Sequence, residues 1–265
     1  MIASHRRLAL LAVLLATLMG LSVSACGSDE ESSAATREKP ELVVSAAASL
    51  KTALTRYADR FESATVRLSF AGSDELAAQV RQGIKPDVFA AANTKLPDQL
   101  FKEGLVEKPV SFATNELVLA VPADRPKVTS LDDLTGNDVT IAVGAEGVPV
   151  GDYTLKVLDG LPQAQSKAIL ANVRSREPDV GGIVGKLTQG AVEAGFVYRS
   201  DVEGAGGKLK AIELPDELKP TVEYGVAIVK GARNPAGAQT FIDGLLDGAG
   251  AKALADNGFG APGTG

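Results

Sequence analysis

"TVRLSFAGSDELAAQVRQG", Thr65 to Gly83, changes its hydrophobic period once, and that change decides the fold class. "TVRLSFA" (Thr65–Ala71) reads as a strand. "SDELAAQVRQG" (Ser73–Gly83) places Leu76, Ala77 and Val80 on one helical face, with Gly83 as its stop. Ser73 stands where a helix N-cap belongs, and Asp74 and Glu75 suit the positive end of the helix dipole. A strand that runs directly into a helix is half of a β-α-β unit, so the neighbouring segments decide whether it belongs to a parallel sheet.

Both neighbours have the required form. "ELVVSAAA" (Glu41–Ala48) is an apolar strand, followed by a helix from Ser49 to Glu62 with Leu50, Ala53, Leu54, Tyr57 and Phe61 at helical spacing. "PDVFAAA" (Pro86–Ala92) is a third strand, with a helix over Thr94–Gly104. This order predicts an α/β fold whose mostly parallel sheet is covered on both faces. A strand "ELVLAVP" (Glu116–Pro122) ends the first block. "DVTIAVG" (Asp138–Gly144) opens a second series, with helices at Gly151–Leu161 and Val180–Gly190 and strands at Ala194–Tyr198 and Lys208–Pro215. "VEYGVAIVK" (Val222–Lys230) is again a strand, and Asn234–Phe259 supplies terminal helices. The expected organisation is lobe 1 over 41–121 plus 224–265 and lobe 2 over 122–223. The chain crosses twice between them at a double-crossover hinge, with a ligand cleft beyond the strand ends.

The first residues read as a leader, not as part of the fold. "MIASHRRLALLAVLLATLMGLSVSAC" has a charged start, a short apolar run and small residues before Cys26. Residues 1–25 are therefore a secretory signal peptide. "VSAC" resembles a bacterial lipobox, which makes Cys26 a lipidation site. Residues 26–40 are polar and read as a flexible tether.

Composition excludes several functions. Cys26 is the only cysteine and His5 the only histidine, so the mature chain has neither to spend on Ser-His-Asp, Cys-His or His-metal chemistry. Enzymatic activity is not expected. Cleavage removes Arg6 and Arg7, leaving 25 basic against 33 acidic residues, a balance of −8 that argues against nucleic acid. A small anion remains compatible, because a buried site answers to local dipoles.

The strand-to-helix junctions supply such dipoles. Ser49 and Ser73 each open a helix, "GVPVG" (Gly147–Gly151) precedes another, and Val180 stands at a fourth start. Each start presents backbone N–H groups with no internal acceptor, and several converging on one point make an anion site without a cationic side chain. Tyr198, at the end of "AGFVY", adds a hydroxyl. Taken singly, each serine is a cap, "GVPVG" a turn and Tyr198 a packed aromatic.

Together, "SAAASL", "FAGSDELAAQV", "PDVFAAA", "GVPVG", "AGFVYRSD" and "VEYGVAIVKGARNPAGAQTFIDGLL" resemble, in order and spacing from Glu41 to Phe259, the molybdate-binding proteins of bacterial ABC importers. The resemblance implies a two-lobe periplasmic-binding-protein fold that holds tetrahedral molybdate or tungstate in its cleft. It implies contacts from the hydroxyls and amides of Ser49 and Ser73, the backbone amides of Val150 and Val180, and the Tyr198 hydroxyl. It implies no direct protein–metal ligand, the metal being held as its oxyanion, and no cofactor. Val150 departs from the alanine common in the family, and "EPDVGG" around Val180 matches most loosely.

A fully deprotonated dianion offers only acceptors, so a donor-only site suits it, whereas hydrogen phosphate needs an acceptor. Asp74 and Asp179 adjoin the expected contacts and are expected to point to solvent. Sulfate, another bare acceptor, is the alternative ligand. The expected partners are the oxyanion, an ABC transporter permease and a membrane reached through lipid on Cys26. The protein is expected to be a monomer on the outer face of the cell membrane.

Overall fold

The computed structural model describes residues 39–124 and 126–263. The signal segment, Cys26 and all but the last two tether residues lie outside the described residues.

The first block alternates as its hydrophobic periods require. β1 (Glu41–Ala47) leads through a 3-10 turn (Ala48–Leu50) into α1 (Lys51–Ala58). β2 (Thr65–Ala71) leads into α2 (Ser73–Arg81), and β3 (Val88–Ala91) into α3 (Lys95–Lys102). β4 (Val110–Asn115) and β5 (Leu117–Pro122) follow with one residue between them. The second block comprises β6 (Ile141–Gly144), α4 (Pro149–Asp159), α5 (Gln163–Ala171), β7 (Val173–Glu177), α6 (Val180–Thr188), β8 (Ala194–Tyr198), α7 (Arg199–Gly204) and β9 (Leu209–Ile212). β10 (Val222–Ile228), α8 (Pro235–Leu246) and α9 (Ala249–Ala255) complete the chain.

These strands form two five-stranded sheets, β2-β1-β3-β10-β4 and β7-β6-β8-β5-β9. β1 pairs in parallel with β2 (Val44 opposite Leu68) and with β3 (Val44 opposite Val88), and β6 pairs in parallel with β7 and β8. β10 is antiparallel to both its neighbours, and so is β5. Each sheet thus has four strands in one direction and one reversed. The reversed strand is in each case the one entered from the other sheet.

β3 shows why the strands run apolar throughout. Val88 and Ala90 face the main core, while Phe89 and Ala91 face a smaller cluster with Leu76, Val80 and Leu100 under α2 and α3. A strand covered on both faces has no position for a polar residue. α8 and α9 return to the first sheet, where Tyr57 stacks on Phe241 at 4.6 Å and donates to its carbonyl at 3.1 Å.

The crossings differ from the expected positions. Leu117–Val121, expected to close the first lobe, lies in the second sheet between β8 and β9, so the outward crossing falls at Asn115–Leu117. Val222 and Glu223 already pair with Asn115 and Thr114 in the first sheet. The reason is local. All five residues from Leu117 to Val121 are buried, and an all-apolar strand fits the interior of either sheet equally well. β4, α5, β7 and α7 are additions to the expected elements.

Candidate functional site

β1, β2, β6 and β8 all end toward one cavity of about 20 Å³ between the two sheets. Ser49, Ser73, Val150, Val180 and Tyr198 all line it, with Gly72, Ala92, Val148, Pro149 and Asp179 among their neighbours. About 10–15 Å³ on this measure holds one water, so the space suits a ligand of a few heavy atoms. Among the described residues no Lys or Arg lines it, and no cluster of three or more acidic, His or Cys side chains is placed to hold a bare metal ion.

Ser73 is buried at 1 % exposure. It does not cap α2. Gly72 is the N-cap residue, and Ser73 is the first helical residue. Its Oγ instead accepts the backbone N–H of Ala92 at 3.0 Å. With that lone pair used on the protein side, the hydroxyl proton remains for the cavity. Ser49 sits in the 3-10 turn after β1, its Oγ 2.9 Å from Tyr224 Oη.

The second lobe contributes two helix starts. Val150 is the second residue of α4, after Pro149, which has no N–H to offer. Its extra bulk over alanine is taken up against β6, where a Cβ on Gly144 would lie 2.7 Å from Val150 Cγ1. Val180 is the first residue of α6. Asp179 caps that helix, Oδ1 accepting the Gly182 N–H at 3.0 Å, so this carboxylate does not simply face solvent as expected. The same expectation fails for Asp74. Its Oδ1 is buried without a partner among the described residues, close to where Pro178 of the second lobe approaches Gly72.

Tyr198 ends β8, packed edge-on against Tyr153 and Tyr224 at 6.4 and 5.9 Å. It is 1 % exposed, and its Oη is buried with no hydrogen-bond partner among the described residues. Burial, then the neighbouring Tyr224 and Tyr153, push its pKa well above 10, so the hydroxyl keeps its proton.

Behind it, Asp201 accepts the Tyr198 N–H at 3.0 Å. The residue is half-buried. Desolvation outweighs that hydrogen bond and, with the nearby Asp179, pushes its pKa from 3.8 up to about 7. The folded state therefore binds this proton more tightly than the unfolded chain does, and stability falls as pH rises from 3.8 through about 7. Asp201→Asn keeps an acceptor and removes the charge. Its melting temperature should exceed that of the wild type at pH 8, and the gain should shrink toward pH 4. A gain independent of pH would show that the charge is not the cause.

The lobes meet directly over the cavity. A Cβ built on Gly72 would lie 2.4 Å from the carbonyl oxygen of Pro178 in the opposite lobe. Elsewhere between the lobes, Lys95 Nζ of α3 lies 3.5 Å from Asp152 Oδ2 of α4, a partly exposed pair of small energetic weight. Sequence reasoning missed Gly72 as the contact point and Asn115–Tyr224 behind Ser49. An S-D-E run reads as a cap whether its first residue is N-cap or N1, and nothing local shows which lobe a glycine touches.

This chain and its two-lobed α/β fold have counterparts among known proteins. The Mycobacterium tuberculosis molybdate-binding protein ModA is 33 % identical over 258 residues, covering 94 % of this chain and 97 % of that protein. The structure of the substrate-binding domain of a putative molybdenum ABC transporter from Clostridium difficile superposes with a TM-score of 0.64 at 29 % identity, over 84 % of this chain and 99 % of that one. The Azotobacter vinelandii periplasmic molybdate-binding protein shares the fold, with a TM-score of 0.75 at 21 % identity over 84 % and 100 %. The family model for bacterial extracellular solute-binding proteins matches residues 42–260, both lobes and both crossings, and this chain belongs to that family.

Proposed function

We propose that this chain captures a fully deprotonated tetrahedral oxyanion, molybdate or tungstate, in the interlobe cavity and delivers it to an ABC importer. The observation that carries the reading is Tyr198 Oη, a buried hydroxyl without a partner among the described residues, on a residue that lines the cavity. A buried polar group left unpaired costs about 1–3 kcal/mol, and a bound acceptor offsets that cost. The remaining candidates are donors too: the Ser49 and Ser73 hydroxyls and the first-turn amides of α4 and α6. Hydrogen bonds to a charged acceptor contribute about 1.5–3 kcal/mol each. Asp179, the carboxylate on the wall, is engaged by the Gly182 N–H. Asp74, whose buried Oδ1 is unpartnered among the described residues, is not among the residues lining the cavity. The lining set therefore favours an unprotonated oxyanion over a protonated phosphate.

Relatives named for molybdate favour it over sulfate, the alternative, which differs chiefly in size. Lipidation at Cys26 would hold the protein at the membrane surface beside its permease, and no described helix is long and apolar enough to cross a membrane.

Tyr198→Phe tests the reading, because it moves stability and binding in opposite directions. Removing an unpaired buried hydroxyl should leave the unliganded protein as stable or more stable. Affinity for molybdate in isothermal titration should fall about 10- to 100-fold. No heat from wild-type protein with molybdate or tungstate would overturn the reading, and stronger heat with sulfate would reassign the ligand.

A further inference from the structure

At the outward crossing, Asn115 touches both lobes. Its Oδ1 accepts the Glu116 N–H at 2.9 Å, which fixes the amide orientation and leaves Nδ2 to donate. Nδ2 donates to Ser200 Oγ of α7, in the second lobe, at 2.8 Å. Its other proton points to Tyr224 Oη at 3.4 Å, in the first. Tyr224 Oη is fully buried, and its remaining partner among the described residues is Ser49 Oγ at 2.9 Å. Burial, then the charge of Asp201, hold the tyrosine pKa well above 10, so it keeps a proton to donate.

The direction of the chain follows. Tyr224 Oη accepts from Asn115. Of the two directions open to its contact with Ser49, only donation to Ser49 Oγ gives the buried tyrosine proton an acceptor among the described residues. That leaves the Ser49 proton for the cavity. We propose that Asn115, through Tyr224, is a positioning residue that sets Ser49 as an obligate donor, so that the cavity selects unprotonated oxyanions over protonated ones. Ser73 reaches the same state by a different route, with the Ala92 N–H on its oxygen. This inference rests on the oxyanion reading above.

Asn115→Asp reverses the relay and keeps the fold's hydrogen bonds. The new carboxylate still accepts from Glu116, and it accepts from the Ser200 and Tyr224 hydroxyls. Tyr224 then donates to Asp, Ser49 donates to Tyr224, and a serine lone pair faces the cavity. In isothermal titration at pH 8, molybdate affinity should fall roughly 10- to 100-fold, while affinity for inorganic phosphate falls less or rises. Tyr224→Phe alone frees the Ser49 hydroxyl to rotate and should cost less than about tenfold.

The double variant Asn115→Asp/Tyr224→Phe decides between relay and charge. Without the tyrosine hydroxyl the carboxylate cannot turn Ser49, so molybdate affinity should recover to near that of Tyr224→Phe. If the losses simply add, repulsion by the new charge is the cause and the relay is overturned. An unchanged molybdate-to-phosphate ratio in Asn115→Asp overturns it as well. Wild-type protein that fails to bind molybdate overturns the oxyanion reading itself, an outcome distinct from a wild type that binds and a cycle that adds.

Discussion

Gly72→Ala should lower oxyanion affinity by about a hundredfold or more and leave the protein folded. Gly72 has φ −59° and ψ 138°, a conformation alanine adopts freely, so no backbone strain is introduced. Asp74 Oδ1, 2.8 Å from the added Cβ, is the end of a side chain that can turn aside, so the fixed obstacle is across the cleft. The added Cβ would stand 2.4 Å from the Pro178 carbonyl oxygen, and that carbonyl belongs to the backbone just before α6, which cannot rotate away as a side chain could. The lobes must therefore separate by on the order of 1 Å to restore an ordinary van der Waals distance. Separation moves the Val180 and Val150 amides and the Tyr198 hydroxyl away from Ser49 and Ser73 together. Losing the equivalent of two charge-assisted hydrogen bonds, at about 1.5–3 kcal/mol each, gives the stated loss. Titration calorimetry measures it, and small-angle scattering with saturating molybdate should show Gly72→Ala less contracted than the wild type. Wild-type affinity in this variant would mean that Pro178 gives way and that Gly72 has no part in closure.

The strands inside the sheets share the property that made them legible. β1, β3, β6, β8 and β10 are apolar runs buried on both faces or nearly so, and their sequences allow no other reading. β7 carries exposed Arg174 and Arg176 between half-buried residues at the edge of its sheet. β4 is likewise an edge strand, with Val110 exposed. An edge strand has one paired side and need not be apolar throughout. β2 and β9 are edges too, but β2 stays legible because its half-buried positions hold Val66, Leu68 and Phe70, where those of β7 include Ser175 and Glu177. β5 was recognisable as a strand, but its sheet was not, because a buried strand says nothing about which neighbours bury it. The five candidate contacts line one cavity because each follows a strand end, and strand ends of parallel sheets gather on one side. The groups that tune them were illegible for the opposite reason. Ala92, Asn115, Pro178 and Tyr224 act on Ser73, Ser49 and Gly72 across sequence separations that no local pattern spans.

Ser73→Ala separates the two roles that a serine at a helix start can have. As a cap it would contribute about 1 kcal/mol to folding, but Gly72 occupies the cap position and the Ser73 hydroxyl makes no capping bond. Its oxygen serves Ala92 instead. Alanine therefore leaves the Ala92 N–H buried without its acceptor, at about 1–3 kcal/mol, and melting should fall by several degrees. It also removes a donor from the cavity, and molybdate affinity should fall about 10- to 100-fold. The losses have different atoms behind them, so they can be pulled apart. Faster hydrogen exchange at the Ala92 amide reports the first, and calorimetry the second. The variant meets the bound ligand with one hydroxyl donor fewer. Ligand should therefore raise the melting temperature of Ser73→Ala by less than it raises that of the wild type. If affinity stays at the wild-type value while melting falls, Ser73 is an acceptor for Ala92 alone, and its proton does not face the ligand.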